Sequence, residues 1–306
     1  MFTLAHLSDV HLGPLPQGAV FRDFALKRLV GAVSWTVIRR KLHLPPVADT
    51  IAADIVAARP DHIAFTGDAV NIAALAEFPR AAAWMQHLGD GATMTFVPGN
   101  HDAYVEVPWR DGLSHMAPWM TGEMRVAETA LGASLATPFP FVRLRKNVAL
   151  IGLSSAVPQN LRKAGGTLGA VQLKSLGPLL RDLRERGFAR VVMIHHPPFP
   201  GLAIARKALT DAAALRDVIA AEGAELLLHG HNHRHMVNAL PTRFGTAHAV
   251  GVPSASMAVA GRHTPAAWNL YRIVRTDGRW TITLRQRRYD PASGTLAWEP
   301  EMPLST

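Results

Sequence analysis

Met94-Thr95-Phe96-Val97-Pro98-Gly99-Asn100-His101-Asp102 is an apolar run that breaks at Pro-Gly into a cluster of metal-type side chains. A short apolar stretch closed by Pro and Gly reads as a buried strand running into a tight turn. The same pattern recurs four times. Leu4 to Leu7 precede Ser8-Asp9-Val10-His11, and His62 to Phe65 precede Thr66-Gly67-Asp68. Val191 to Ile194 precede His195, and Leu226 to Leu228 precede His229-Gly230-His231-Asn232-His233. Five strands therefore deliver Asp9, His11, Asp68, Asn100, His195, His231 and His233 at their C-terminal ends, where open α/β sheets bind ligands.

The stretches between these strands carry helical spacing. Ala48, Ile51, Ala52, Ile55 and Val56 mark a helix over 48–59; Phe78, Ala82 and Met85 mark another over 77–88. Helices are also expected at 169–187 and 211–222. Strand and helix in alternation make βα units and a largely parallel layer. Residues 139–153 read instead as two strands around Arg145-Lys146-Asn147. The C-terminal third is strand-rich, with Thr276-Asp277-Gly278 as a hairpin turn. A mixed α/β core with two facing sheets is the economical arrangement. One domain over 1–306 is expected, because the candidate ligands span residues 9 to 233.

The 306 residues include no cysteine, which excludes disulfides, thiolate ligands and a cysteine nucleophile. The first ligand follows the first strand so closely that no room remains for a cleaved leader, and no uncharged stretch approaches the roughly 20 residues of a spanning helix. A soluble, cytoplasmic protein is expected. The formal charge of +9 favours anionic partners: phosphorylated substrates, nucleic acid or an acidic bilayer surface.

Two segments depart from the plan. Residues 20–43 interleave Phe21, Phe24, Leu26, Leu29, Val30, Val33, Trp35, Val37 and Ile38 with Arg22, Lys27, Arg28, Arg39, Arg40 and Lys41. This is a helical excursion, read either as packed on the body with solvated arginines or as an interfacial helix touching an anionic membrane. Residues 102–138, rich in Trp, Met, Gly and Pro, are long enough for a lid or substrate wall.

Hydrolysis of a phosphate ester at neutral pH needs a strong nucleophile and neutralisation of charge on the phosphoryl oxygens. Two divalent ions about 3.5–4 Å apart supply both, if a carboxylate bridges them within a mixed oxygen and imidazole shell. Asp68, alone at a strand end between the two ligand clusters, is the natural bridge. An isolated Asp-x-His or Gly-Asp is ordinarily a turn residue, but the ordered set is far more specific. With Asp9-Val10-His11, Gly67-Asp68, Gly99-Asn100-His101-Asp102, His195 and Gly230-His231-Asn232-His233 in order, the chain resembles the calcineurin-like metallophosphoesterases.

The resemblance implies a four-layer αββα sandwich of two facing mixed sheets, with a dimetal site at the strand C-terminal ends. It puts one metal on Asp9, His11, Asp68 and His233 and the other on Asp68, Asn100, His195 and His231. It makes His101 the residue that binds the phosphoryl group and protonates the leaving oxygen. Carboxylate, amide and imidazole donors suit Mn, Fe or Zn. His195 is preferred to His196 as a ligand, because neighbours in extended chain face opposite ways. His196, His229 and His235 are expected as supporting or rim residues, His6 as a satisfied strand histidine, and Asp102 as an orienting group for His101 or its loop. His43, His62, His87, His115, His248 and His263 receive no role.

The opening Leu-Ser-Asp-Val-His-Leu-Gly and His195-His196-Pro197-Pro198 are most similar to the family's bacterial class III cyclic-nucleotide phosphodiesterases. The leading expectation is thus a phosphodiesterase using a metal-bridging hydroxide on a small or lipid-linked substrate. Three alternatives stand beside it: a membrane-surface pyrophosphohydrolase for a nucleotide-linked lipid, a nuclease, and a non-catalytic scaffold. Dispersed basic residues and the lack of a recognisable nucleic-acid module disfavour the nuclease. The intact ligand set disfavours the scaffold.

Overall fold

The computed structural model describes residues 1–18, 26–125, 139–161 and 163–305. The first sheet is built on β1 (Phe2–Leu7), parallel to β2 (His62–Phe65), which is parallel to β3 (Met94–Phe96). β11 (Ala267–Thr276) runs antiparallel on the other side of β1, followed by β12 (Arg279–Asp290), whose far edge carries β13 (Thr295–Trp298) and β14 (Met302–Ser305). β11 and β12 are joined by Asp277-Gly278, both with positive φ, as a two-residue hairpin with the strand twist requires.

The second sheet has β6 (Val148–Gly152), β7 (Ala189–Met193), β8 (Leu226–His229) and β10 (Gly245–Gly251) in parallel order. β5 (Phe141–Arg145) with β4 (Met124–Arg125), and β9 (Met236–Thr242), flank them antiparallel. Both sheets are mixed, as expected. Strand alternation sets the layers. Val148, Leu150, Val191, Met193, Leu226 and Leu228 join Leu4, Phe65 and Phe96 in one apolar cluster. Their sequence neighbours Ala149, Ile151, Val192 and Leu227 pack against Leu176, Leu180, Leu215 and Ile219.

Those last residues belong to α4 (Gly169–Glu185) and α5 (Ala212–Glu222). On the first sheet lie α2 (Pro45–Ala58) and α3 (Glu77–Leu88), burying Ile51, Ile55, Phe78 and Met85. The sandwich is therefore αββα. Burying each such aliphatic side chain contributes roughly 1.5–3 kcal/mol, so the frame under the loops is stiff.

The expected helices are present within a few residues of their predicted ends. α1 (Leu26–Val37) and a 3-10 turn over Arg39–Lys41 form the described part of the excursion; residues 19–25 lie outside the described residues. Its arginines are not uniformly solvated: Arg28 is buried and Arg39 half-buried, whereas Arg40 is exposed. Of the segment read as a lid or wall, Met116, Trp119 and Met120 are buried in the main core. Residues 126–138, the rest of that expectation, lie outside the described residues. No helix among the described residues is long and apolar enough to cross a membrane.

Candidate metal centre

All seven expected donors meet at one end of the sandwich, above the C-terminal ends of β1, β2, β3, β7 and β8. Asp9 and His11 follow β1, Asp68 follows β2, Asn100 follows β3, His195 follows β7, and His231 and His233 follow β8. Asp9, His11, Asp68, His231 and His233 all have φ between 46° and 66°. Left-handed backbone is uncommon for residues other than glycine and costs on the order of 1–3 kcal/mol each. Five such residues on one small surface show that the frame holds these loops against their local preference.

Glycine makes room for them. A Cβ on Gly67, which has φ +96°, would lie 2.8 Å from His195 Nδ1, and one on Gly99 would run into the Asp68 carboxylate. Gly230 is equally closed by Ser8 and Asp9.

The donors divide into two groups that share one oxygen. Asp68 Oδ1 accepts the backbone N–H of His101 at 2.7 Å. Its other oxygen, Oδ2, lies 3.8 Å from His11 Nε2 and 3.4 Å from His195 Nε2. On the first side, His233 Nε2 is 3.1 Å from Asp9 Oδ1 and 3.3 Å from His11 Nε2. On the second, His195 Nε2 is 3.2 Å from Asn100 Oδ1 and 3.3 Å from His231 Nδ1. Separations of this size are those of ligand atoms around a common ion at about 2.0–2.2 Å from each.

The outer atoms of these donors are already spoken for. Asp9 Oδ2 accepts the N–H of His231 at 3.0 Å, and His195 Nδ1 donates to the Thr66 carbonyl at 2.7 Å. That bond leaves His195 Nε2 as the lone pair facing inward. Asp9 Oδ1 is buried without a hydrogen-bond partner. A buried carboxylate oxygen with no donor is costly, and the surrounding imidazoles and amide are the donor set that a borderline transition metal prefers. The residues present fit two metal ions.

Charge in the site points the same way. Burial alone would raise Asp68, yet His195, His101 and His11 hold it well below the usual carboxylate range. Burial would lower His195, but Asp68 and Asp9 push it up to about 9. Two buried carboxylates thus draw positive charge into the centre.

His101 stands beside the donors rather than among the seven. Its Nδ1 donates to the Asn71 carbonyl at 2.5 Å, so Nε2 is the atom free to face a ligand. Its ring stacks on Tyr104 at 5.3 Å and meets His11 edge-on at 4.7 Å. Burial, then the positive charge of Arg39, push it down to about 4. Asp102 serves the loop: its carboxylate accepts backbone N–H groups from Gly99, Asp68, Ala69 and Val70. Burial and the Asp68 charge nevertheless push it up to about 7.

His196 binds Ser155 and the Ala164 carbonyl and so turns away from the donors. His6 bonds Thr66, and His235 bonds Gln286. His229 is fully buried against the Gly230 carbonyl.

Three neighbours had no expected role here. Arg39 Nη1 approaches His101 Nδ1 to 3.3 Å; since that nitrogen already donates to Asn71, the contact is electrostatic. His43, buried and bonded to Ser256, has its ring 4.7 Å from His11 and 5.4 Å from His233. Lys207 reaches the cavity of about 320 Å³ that opens onto His101, Asn100 and Asp68. Arg39 and His43 come from the end of the excursion, where three consecutive basic residues gave no sign of which one turns inward.

A family model described as calcineurin-like phosphoesterase matches residues 2–235. Among solved structures the chain is similar to a dimetal phosphatase from Danio rerio, at 13% identity over 99% of this chain and 98% of that one, with a TM-score of 0.63. It is also similar to a purple acid phosphatase from yellow lupin (Lupinus luteus) seeds, at 11% identity over 99% of this chain and 53% of that one, with a TM-score of 0.55. At such identities the likeness is one of fold. No curated protein matches the chain.

Proposed function

Because the chain belongs to the calcineurin-like phosphoesterase family, we propose that it hydrolyses a phosphodiester at a pair of metal ions, as one domain over residues 1–306. The observation that carries this reading is the sharing of Asp68 Oδ2 between two complete donor groups, with Asp9 Oδ1 left unpartnered beside it. Asp9, His11, His233 and Asp68 would hold one ion, and Asp68, Asn100, His195 and His231 the other, with Mn, Fe or Zn as the fitting metals. When bound, such ions acidify a water and neutralise charge on the phosphoryl oxygens.

The chain's own residues do the rest. Asp68 fixes the spacing of the two groups through one oxygen and holds the His101 loop through the other. His101, oriented by Asn71, presents Nε2 to the substrate. It takes a proton there once the phosphoryl anion offsets the charge of Arg39, and passes it to the leaving oxygen. Arg39 supplies a fixed positive charge behind His101 and draws the anion into the cavity. The lack of cysteine suits a reducing compartment, and a cytoplasmic location goes with this reading.

A pyrophosphate bond is the second reading, favoured by the basic residues that line the same cavity beside the candidate metal donors: Lys27, Arg39, Lys163, Arg206 and Lys207. They would meet a second phosphoryl group.

The test is hydrolysis of bis(4-nitrophenyl) phosphate and of 4-nitrophenyl phosphate by Mn²⁺-loaded protein, with Asn100→Ala as control. The reading expects cleavage of the diester in preference to the monoester, abolished in the variant. Cleavage undiminished in Asn100→Ala would overturn the site. Inertness towards both esters together with release of a nucleoside monophosphate from a nucleoside diphosphate ester would favour the second reading.

A further inference from the structure

α1 is turned inside out for a surface helix. Its buried positions are Arg28, Gly31, Ala32 and Trp35. Facing out are Leu26, Leu29, Val30, Val33 and Val37, with Val33 55% and Val37 61% exposed. Steps of three, four and seven residues line these up as one stripe, and Ile38 extends it.

The stripe is not what attaches the helix to the body. Arg28 donates to the carbonyls of Ile72 and Ala73, and Lys27 donates to those of Tyr104 and Gln159, at 2.6 and 2.8 Å. Gly31 sits so close that a Cβ would lie 2.8 Å from Ile72 Cγ2. Polar bonds, the Gly31 contact and the packing of Ala32 and Trp35 hold the inner face, and the outer aliphatic side chains are left exposed among the described residues. A contiguous apolar patch of this kind marks a docking surface.

Charge identifies the occupant. Residues 26–41 contain no acidic residue, and the stripe ends on exposed Arg40 and Lys41. Exposed Lys163 and Arg206 stand on the rim of the catalytic cavity that Lys27, Gly31 and Ser34 of the same helix also line. Apolar side chains in a row that run into cations, with Glu106 of the adjoining groove as an acidic neighbour, match the boundary between anionic headgroups and acyl chains. A groove of about 660 Å³, walled by Leu26, Tyr104, Val105, Pro158 and Leu161, runs beside the helix and shares Lys27, Tyr104 and Leu161 with the cavity.

We propose that the outer face of α1 seats the protein on an anionic lipid bilayer, with the mouth of the metal centre at the headgroup level. Docking stands on the helix alone; that the substrate is then an amphiphilic phosphoester, its apolar part in the groove, rests on the phosphoesterase reading above. Arg39 takes no part in docking, because it is turned onto His101.

The test is co-sedimentation of the full chain with vesicles of equal parts phosphatidylglycerol and phosphatidylcholine, against vesicles of phosphatidylcholine alone. Binding to the anionic vesicles is expected, weakening as salt is raised, and falling at least about tenfold in Val33→Glu/Val37→Glu. Hydrolysis of the soluble diester should be unchanged in that variant, since neither residue lines the cavity, so a failed hydrolase and a failed docking surface give different results. No binding to anionic vesicles, or equal binding by the variant, would overturn the proposal. A dimer that the double substitution splits, with no vesicle binding, would show a second copy of the chain on the stripe and would also overturn it.

Discussion

Replacing Arg39 separates charge from metal binding more cleanly than any other change at this site. Its guanidinium touches His101 Nδ1 at 3.3 Å, so a phosphoryl oxygen bonded to the far side of the ring lies one imidazole further, about 6 Å from the positive charge. Two unit charges about 6 Å apart at an effective dielectric of about 20 attract by about 3 kcal/mol. Arg39 is half-buried, and water at the cavity mouth reduces this to about 2 kcal/mol, or roughly thirtyfold in rate. Arg39→Ala should therefore lower kcat/KM for the aryl diester about thirtyfold, with two metals still bound. Arg39→Lys should recover part of the loss, because a point charge replaces a planar fork. The assay is steady-state hydrolysis by Mn²⁺-loaded protein with metal content measured on the same samples. A change below threefold, or loss of metal in Arg39→Ala, would refute the placement of Arg39 as a substrate-facing charge.

Other perturbations probe the ligands and the frame. His101→Ala should lower turnover by about 10²–10⁴ and leave metal content intact, whereas Asp68→Ala should lose both; equal metal loss in the two variants would remove His101 from its role. Glu225→Leu should destabilise the fold by about 3–5 kcal/mol in urea, because it strands the buried Arg190 whose guanidinium Glu225 holds at 2.6 Å. Metal content should be unaffected, since the pair lies at the opposite end of β7 and β8 from the centre. His62 is pushed down to about 3 by burial, then by Arg143 and Arg145. Its folded form resists protonation, so the stability it contributes is full above the unfolded value of about 6.5 and is lost as pH falls from there towards 3. His62→Gln, which can keep the bond to Thr95, should flatten acid destabilisation by about 1.4 kcal/mol per pH unit between pH 6 and 4; an unchanged slope would contradict it.

The strands were legible because their apolar runs are short and are closed by Gly, Pro or polar residues, and the candidate donors because each stands just past such a run. α3 was placed from its spacing alone, over the same residues that form it. β9 was not seen: Met236–Thr242 alternates half-buried and exposed positions and contains Pro241, which an edge strand tolerates and a buried run would not. β13 and β14 escaped for the same reason, as short strands with little burial on one edge of β12.

Within the site, the seven donors followed from order along the chain, but Arg39 and His43 did not. Their roles depend on which way a 3-10 turn faces, and Arg39, Arg40 and Lys41 are alike in sequence. The expected choice for the excursion lay between solvated arginines and an interfacial helix; α1 buries Arg28, against the first, and exposes its valines, as the second would need. Composition reports how much apolar surface a helix has, but the sequence around Gly31 could not show which face fits the body.

The most direct measurement is anomalous diffraction from crystals grown with Mn²⁺. Two peaks about 3.5–4 Å apart on either side of Asp68 Oδ2 are predicted, one among Asp9, His11 and His233 and the other among Asn100, His195 and His231. A single peak, or a pair bound elsewhere, would contradict the dimetal account.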